Sequence, residues 1–466
     1  MTVPVIVPRA EHAISRSQID ADALKVLYRL QQNDYVAYLV GGSVRDLLLG
    51  RRPKDFDIGT SAHPYQVKRL FRNCWIIGRR FRLAHVKFGH KTIEVATFRR
   101  QVSAEELTAA EEHDGIPLGS ANDDAPDRLV HRDNTFGTPE EDAFRRDFTV
   151  NALFYDIGTF SIIDYTGGLQ DLRARVIRCI GHPVERFQED PVRMLRAVTM
   201  AARLDFSIDP PVDEAISAHR ADIARAAPPR LMEEFYKLLR TGAAERAFRM
   251  LAARRLLEPI ASELQKGATD ALWRSLAAVD AYRARFDAPP DTLTNALLLG
   301  SLLVPLGHTT RSLSPAPVPD GEFRRSTLRS FTPSTGSGSS RAQSRDEQPG
   351  DVRRPVEWRR EPRIALGMLP LARRDVERLR QILGLQRRLV DVHLSPRARR
   401  ALMHRGPFKE ALTWLEIHGG TPDVLEHWRG FIEAAGTFEA EAAGAAQPDR
   451  RRRRRRRRRS FKSSTT

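Results

Sequence analysis

The segment from Tyr38 to Thr60, YLVGGSVRDLLLGRRPKDFDIGT, constrains the fold of this chain more than any other segment. A β-prone run leads into Gly41–Gly42, a short helical pattern follows, and a second β-prone run carries Asp55 and Asp57. Side chains two positions apart on a strand share a face, so the two carboxylates are predicted to lie side by side. Such a pair favours a hard cation, and Mg²⁺ typically binds one or two carboxylates together with substrate phosphates.

The glycine turn upstream is the predicted phosphate-binding element. Gly41 and Gly42 let backbone N–H groups approach a ligand closely, Ser43 adds a hydroxyl donor, and Arg45 adds a positive charge at the following helix. Taken separately, the glycines also fit a tight turn and the aspartates also fit a surface hairpin. Their combination, with twelve residues between them, favours a site where phosphate and metal meet.

The composition of the chain fits a soluble protein of two or three domains, because 466 residues can bury several sizeable cores. No apolar run reaches the ~20 residues that a membrane span needs, and the N-terminal residues lack the pattern of a signal peptide. We therefore expect no membrane insertion. Cys74 and Cys179 lie far apart and have no metal-ligand spacing, which favours a reducing cytoplasm.

The net charge of +17 points to a polyanionic partner such as nucleic acid. Much of that charge lies in ten consecutive arginines, Arg450–Arg459. Such a run repels itself, so we expect a disordered tail that binds RNA phosphates without reading sequence, through residues such as Arg450, Arg451 and Arg452. Charge alone leaves open an acidic protein, a membrane surface, or a role in solubility or targeting. The sequence names no protein partner.

The order of apolar patterns predicts an α+β fold, with a small mixed sheet and helices first and helices alone in the second half. Strands are predicted over 75–77, 83–88 and 92–98, and a helical pattern over 138–156. The segment from 308 to about 357 is rich in Ser, Pro, Arg and Gly and is predicted to be a flexible insertion. Helical patterning returns at 364–435 with many basic residues, which fits an RNA-facing module or an ordinary soluble bundle.

Two further groups of charged residues accompany the predicted sheet. Arg79, Arg80 and Arg82 between two strands fit a solvated edge, or a site for triphosphate or the RNA end. Glu94 lies on the last strand and is a candidate third acidic ligand, although an exposed-face glutamate explains it equally well.

Two more charged groups lie on predicted helices. In the cluster Arg145, Arg146 and Asp147, at least one side chain is predicted to point into the cleft, and an ion pair that clasps the helix is the alternative. Asp190 and Arg193 are three residues apart, so they can offer an acceptor and a fork of donors to a base edge, or form an ordinary salt bridge.

From Ser17 to about Ile260 the sequence resembles the bacterial poly(A) polymerases, in the class II branch of nucleotidyltransferases that also contains the CCA-adding tRNA nucleotidyltransferases. The phrases that carry the resemblance are LVGGSVRDLLLGRRPKDFDI, LFRNCWIIGRRFRLAHVKF, IEVATFRR, RRDFTVNALFYD, DYTGGLQDL, EDPVRMLRAV and RLMEEFYKLL. The long Ser/Pro insertion departs from the family pattern.

The resemblance implies roles for individual residues. Asp55 and Asp57 would hold two Mg²⁺ ions, with Mn²⁺ as a substitute, and Asp147 would complete the catalytic set. Gly41, Gly42, Ser43, Arg45 and Arg146 would bind ATP, and Asp190 and Arg193 would read the incoming base. The assignment of Asp147 comes from the resemblance and not from the strand geometry.

The implied activity is template-independent addition of AMP from ATP to RNA 3′ ends, linked to mRNA processing and decay. The alternative within the family is CCA addition to tRNA, and a non-catalytic RNA-binding protein is the alternative outside it. The predicted organisation is a loose leader (1–16), a nucleotidyltransferase domain (17–167) with a flexible loop at about 100–137, a helical recognition and neck region (168–307), the insertion (308–357), a helical RNA-binding domain (358–436) and a disordered tail (437–466).

Overall fold

A computed structural model describes residues 3–78, 82–100, 136–310 and 364–445, with side chains described up to residue 434. The strands of the N-terminal sheet are β1 (Val5–Val7), β2 (Ala37–Val40), β3 (Asp57–Thr60), β4 (Cys74–Ile77), β5 (Leu83–Phe88), β6 (Lys91–Thr97), β7 (Leu153–Asp156) and β8 (Ser161–Asp164). They form one eight-stranded sheet in the order β1-β8-β7-β2-β3-β6-β5-β4. Of the neighbouring pairs, β3 and β6 are parallel and the others antiparallel. The predicted mixed sheet is confirmed and is larger than expected.

The first residues of the chain belong to this sheet. β1 pairs with β8 in antiparallel register, with Val5 opposite Asp164, and prolines at positions 4 and 8 flank it. Ile14 is fully buried in the same core. The loose leader predicted for residues 1–16 therefore contributes an edge strand, because its alternating apolar residues find a partner far along the chain.

Four helices pack with the sheet: α1 (Ala21–Gln31), α2 (Gly42–Leu48), α3 (Pro64–Leu70) and α4 (Pro139–Phe144). The Asp20 side chain caps α1 by accepting bonds from the N–H groups of the next two helix residues after Ala21. The buried face of α1 includes Val26, Leu27 and Leu30, as its 3.6-residue period predicts.

The helix predicted over 138–156 is only partly present. Thr138 and Glu141 form a capping box at its start, but α4 ends at Phe144 and the chain continues through a 3₁₀ turn into β7. Phe144 at the end of α4 is 42% exposed, whereas Phe154 and Tyr155 of β7 are fully buried. A strand buried on both faces gives a continuous apolar run, which periodicity alone does not separate from a helix.

From 168 onwards the chain is helical apart from a short parallel pair of strands, β9 (Val176–Ile177) and β10 (Ser207–Ile208). The helices are α5 (Gly168–Ala174), α6 (Pro183–Glu189), α7 (Val192–Leu204), α8 (Pro210–His219), α9 (Pro228–Leu239), α10 (Ala244–Ala253), α11 (Ser262–Lys266), α12 (Asp270–Arg283) and α13 (Asn295–Leu303). The predicted helical second half is thus confirmed for the described residues, with β9 and β10 as an exception.

Four more helices follow in the C-terminal part: α14 (Arg373–Val390), α15 (Pro396–Met403), α16 (Phe408–His418) and α17 (Pro422–Ala445). α17 continues beyond residue 437, where the disordered tail was predicted to begin, because the alanine- and glutamate-rich sequence there favours a helix. Across the described ranges, no helix combines the length and apolar content that a bilayer crossing requires. The loop over 101–135, most of the insertion, Arg79, Arg80 and the arginine run lie outside the described residues.

The C-terminal helices are joined to the preceding bundle at Gly367. Its φ is +55°, and a Cβ built there would lie 2.2 Å from the Ile260 carbonyl oxygen and 2.4 Å from Ala261 Cα. The next N–H, of Met368, donates to the Ile260 carbonyl at 2.9 Å. Only glycine fits this backbone-to-backbone contact.

Replacement of Gly367 by Ala is therefore expected to destabilise the protein by about 3 kcal/mol, since left-handed strain adds to a clash with backbone. Gly50→Ala is the matched control: its φ is +67°, but nothing lies within 4 Å of the added Cβ, so strain of about 1 kcal/mol remains. Urea unfolding of both variants measures the difference. Equal losses for the two variants would show that the contact with Ile260 is not made.

Candidate active site

The centre of the site is fixed by the pairing of β3 with its two neighbours. Val40, the residue before the glycine turn, lies opposite Asp57 in the antiparallel β2–β3 pair. On the other side, Ile58 pairs with Val95 in the parallel β3–β6 ladder, which places Asp57 next to Glu94. The glycine turn, Asp57 and Glu94 are thus brought together by backbone hydrogen bonds, as the sequence predicted for the first two.

Asp55 and Asp57 differ in their surroundings. Asp55 precedes β3, and its side chain is 71% exposed with Lys54 Nζ at 3.6 Å. Part of the Asp57 residue is exposed to solvent, but neighbouring protein atoms surround much of its carboxylate and bury it from water. This burial, with the negative charges of Glu94 and Asp55, raises the pKa of Asp57 to about 6, against a smaller lowering by Arg146. The negative charges of Asp57 and Asp55 therefore repel each other, and a bound cation would relieve this repulsion.

The donor set fits a metal that also binds its substrate. Within the described ranges, no three His, Cys, Asp or Glu side chains are grouped closely enough to hold an ion by themselves. Glu94 is half exposed and lies 3.7 Å from His85 across the β5–β6 ladder. Clustered, incompletely compensated carboxylate oxygens suit Mg²⁺, which completes its shell with substrate phosphates and water.

The glycine turn has the backbone that its sequence demands. Gly41 has φ +70° and ψ −131°, which side chains rarely adopt, and an added Cβ would lie 2.9 Å from Arg146 Nη1. Its N–H donates to the Leu153 carbonyl at 3.1 Å, so this group is engaged in the fold. Gly42 begins α2, and the N–H groups of that first turn are the ones without partners inside the helix.

Ser43 and Arg45 do not face the cleft as predicted. Ser43 is 3% exposed, and its hydroxyl donates to the Val40 carbonyl at 2.9 Å. The guanidinium of Arg45 is buried, bonds to Asp46 at 2.9 and 2.7 Å and also donates to Asn151. Burial lowers its pKa, despite the neighbouring Asp46 carboxylate. Both side chains thus form hydrogen bonds inside the protein next to the glycine turn. To bind phosphate, they would have to give up their bonds to the Val40 carbonyl, Asp46 and Asn151.

Arg146 does face the turn. It donates to the Asn151 carbonyl at 3.0 Å and to Asp142 at 2.8 and 3.2 Å, and its positive charge acts on Asp57. Burial alone would raise the pKa of Asp142, but Arg146 and Arg145 together hold it below its ordinary value. Sequence reasoning missed Asp142, although its i,i+4 spacing from Arg146 was a usable signal.

Asp147 occupies a different position from the carboxylate pair. It accepts bonds from the Phe148 N–H and the Asn151 side chain, at 2.9 and 3.2 Å, and forms a 2.6 Å ion pair with Arg196 of α7. Asp147 raises the pKa of Arg196. These contacts fit the clasping ion pair that was the alternative interpretation of this cluster, and they link the sheet domain to α7.

Asp190 and Arg193 lie at the start of α7 and are engaged with other residues. Arg230 of α9 donates to both oxygens of Asp190 at 2.9 and 2.5 Å, whereas Arg193 donates to Glu189 at 2.8 Å. The ordinary Asp190–Arg193 salt bridge is not formed among the described side chains. Arg193 also donates to the Arg186 carbonyl, so each side chain is held in a defined orientation. Arg82, the described member of the basic strand connection, is exposed.

Family models match three parts of the chain. The model described as the poly A polymerase head domain matches residues 37–178, which include the glycine turn, Asp55, Asp57, Glu94 and Asp147. A second, described as the probable RNA and SrmB-binding site of polymerase A, matches 205–267. The third, described as the polymerase A arginine-rich C-terminus, matches 365–460.

Curated relatives match the same region. Poly(A) polymerase I of Salmonella typhimurium is 50% identical over 255 residues, which cover 55% of this chain and 53% of that protein. The CCA-adding enzyme of Lactobacillus johnsonii is 34% identical over 238 residues, or 51% of this chain and 54% of that enzyme. The matches thus span about half the length of these relatives.

One solved structure shares the fold over most of the chain. The crystal structure of the Bacillus stearothermophilus CCA-adding enzyme in complex with CTP is 26% identical, with a TM-score of 0.55, and the match covers 88% of this chain and 82% of that one. Together with the head-domain match over residues 37–178, these comparisons show that about half of the chain is similar to poly(A) polymerase I and to CCA-adding enzymes, and that the chain shares the fold of a CCA-adding enzyme.

Proposed function

We propose that this protein adds AMP from ATP to the 3′ ends of RNA without a template. The observation that carries the proposal is the register of β3, which sets Asp57 beside both the glycine turn and Glu94. A phosphate-binding turn next to clustered carboxylates suits the transfer of a nucleotide from a metal-bound triphosphate. The proposed partners are therefore RNA 3′ ends and ATP, and the product released is pyrophosphate.

The proposed metal ligands are Asp55 and Asp57, with Glu94 as a third acidic group. When bound, two Mg²⁺ ions would lower the pKa of the RNA 3′-hydroxyl and neutralise charge on the departing pyrophosphate. The chain itself supplies orientation: the first turn of α2 and Arg146 hold the triphosphate beside the carboxylates. Asp147, although predicted as catalytic, has the contacts of a residue that holds Arg196 and Asn151 in place.

The base is proposed to be selected at the start of α7. Asp190 offers acceptors and Arg193 offers donors, and the bidentate contact from Arg230 keeps the Asp190 carboxylate in one orientation. A protein group that reads a base by hydrogen bonds replaces the template strand. Arg193 lies three residues after Asp190, and its guanidinium donates to the Glu189 carboxylate.

CCA addition to tRNA is the second candidate function. The solved structure with the same fold is a CCA-adding enzyme in complex with CTP, which favours this alternative. The higher identity to poly(A) polymerase I, 50% against 34% for the CCA-adding relative, favours adenylation. Nucleotide choice on two RNA substrates separates the candidates.

The wild-type chain is expected to extend a generic 3′-OH RNA into a long adenosine ladder when ATP and Mg²⁺ are supplied. Asp57→Asn should lower incorporation by at least about 1000-fold, because metal stabilisation of the transition state is worth several kcal/mol. Asp34→Asn, a change at an exposed acid outside the site, is the control. A three-nucleotide stop on tRNA lacking its end would instead support CCA addition, and near-normal activity of Asp57→Asn would refute the metal assignment.

Thermal melting tests the carboxylate cluster without any turnover. Because the pKa of Asp57 is raised from its ordinary value of 3.8 to about 6, its contribution to stability is fully present below pH 3.8 and is lost as the pH rises through 6. At pH 8 without divalent ions, Asp57→Asn is therefore expected to melt about 3 °C above wild type, with no gain at pH 4. Mg²⁺ should raise the melting temperature of the wild type at pH 8 and that of Asp57→Asn much less. A Mg²⁺ effect of equal size in both proteins would place the ion elsewhere.

Base selection is tested by Arg193→Ala. Loss of a charged hydrogen bond is worth about 1.5–3 kcal/mol, so kcat/KM for ATP should fall about 10- to 100-fold and the preference over CTP should narrow. Arg225→Ala, at an exposed arginine on the neighbouring 3₁₀ segment, is the matched control. An unchanged ATP to CTP ratio in Arg193→Ala would remove this residue from base recognition.

A further inference from the structure

A basic groove lies on the C-terminal helices, far along the chain from the carboxylate cluster. One wall is the stripe of α14 that carries Arg380, Gly384 and Arg388, and the other is the turn after α15, Arg405 to Pro407. The cavity has a volume of about 420 Å³. We call it the Arg388 groove. Its size is within the range of small-ligand sites, which run from about 300 to 1,000 Å³.

The walls of the Arg388 groove are held together from outside the cavity. Arg378, on the adjacent face of α14, donates to the Gly406 carbonyl at 2.7 Å and pairs with Glu410 of α16. Gln386 donates to the Ala411 carbonyl at 3.0 Å, which fixes α14 against α16. The groove is therefore preorganised, so a ligand does not have to assemble it.

The positive charge in the groove is available. Arg388 and Arg405 are exposed, and among the described side chains neither has a carboxylate within ion-pair distance. Arg380 is bonded to Glu377 at 2.6 and 2.9 Å. Residues 373–405 contain ten arginines against three acidic residues, so the surrounding field is strongly positive as well. Two free guanidinium groups in one preformed groove favour a ligand with more than one anionic oxygen.

Gly384 is the second unusual feature of the groove. It lies in the middle of the eighteen-residue helix α14, where glycine is destabilising relative to alanine. A Cβ built at this position meets no atom within 4 Å, so packing within the protein does not require glycine there. The missing side chain leaves the groove wall open, which suits close approach of a bulky ligand backbone to the helix.

We propose that the Arg388 groove binds the phosphodiester backbone of single-stranded RNA, with successive phosphates paired to Arg388 and Arg405. The inference rests on the proposed function, in which RNA is the primer, and assigns a place on the chain to RNA upstream of its 3′ end. Phosphodiester oxygens match the two free guanidinium forks. No base contact is involved, so binding is independent of RNA sequence.

The first test is fluorescence anisotropy of the full chain with a labelled twenty-nucleotide oligoadenylate carrying a 3′-OH, over a range of NaCl concentrations. The double variant Arg388→Ala with Arg405→Ala should weaken binding about 10-fold. The slope of the logarithm of the binding constant against the logarithm of the NaCl concentration should become shallower by about 1.4, or about 0.7 for each lost phosphate contact. The matched control, Arg397→Ala with Arg400→Ala, removes the same charge from exposed arginines of α15 outside the groove. It should weaken binding about 2-fold or less. Equal losses in both pairs would mean diffuse attraction and overturn the proposal.

The second test blocks the groove without changing its charge. Gly384→Gln should weaken RNA binding about 5-fold or more while the melting temperature stays equal or rises, because glycine is replaced inside a helix. Gly430→Gln is the control, since Gly430 is also an exposed glycine within a helix, α17, with nothing within 4 Å of an added Cβ. Wild-type affinity of Gly384→Gln for RNA would overturn the proposal. So would a Gly384→Gln variant whose affinity for polyglutamate falls more than its affinity for RNA.

Activity separates this inference from the proposed function. In the groove variants, AMP incorporation at saturating RNA should match wild type while the KM for RNA rises by the same factor as the dissociation constant. If the wild type incorporates no nucleotide, the proposed function fails, yet the anisotropy comparison of groove and control variants still decides whether the groove binds RNA.

Discussion

The position of β3 between β2 and β6 is the constraint on which the site depends. One strand pairs antiparallel with the strand that ends at the glycine turn and parallel with the strand that carries Glu94. A slip of one residue in either ladder would turn Asp57 to the opposite face of the sheet. The register is fixed by burial, since Ile58 and its neighbours Leu39 and Val95 are almost completely inaccessible to solvent.

Buried polar contacts beneath the site connect it to the helices. Asp46 accepts from Arg45 under the glycine turn and from Arg203 of α7, and Arg186 of α6 donates to the backbone carbonyls of 145 and 146. A buried ion pair adds little net stability, but loss of one partner leaves an unpaired charge, so such contacts specify one arrangement. The start of α7, with its candidate base-reading residues, is thereby held at a fixed distance from the glycine turn.

The sequence predicted a feature correctly where neighbouring residues in the chain determine it, and failed where the partner lies far along the chain. The strand–glycine–helix segment and the strands β5 and β6 follow from local patterns and were predicted correctly. The strand β7 was taken for part of a helix because Phe154 and Tyr155 are buried on both faces of a central strand. Ser43 and Arg45 were placed in the cleft because their spacing gives no sign of Asn151, a partner more than a hundred residues away. The present partner of Asp190, Arg230, is likewise long-range.

The short edge strand β1 has a consequence for solubility. An edge strand offers unpaired backbone groups to any other extended chain, and β1 also carries the exposed side chains of Val5 and Ile6. Proline lacks an N–H and cannot extend a ladder, and Pro4 and Pro8 stand immediately before and after the three residues of β1. The two prolines limit the open edge of the sheet to the three residues of β1. So short an edge offers too few backbone hydrogen bonds to act as a template for fibrous assembly.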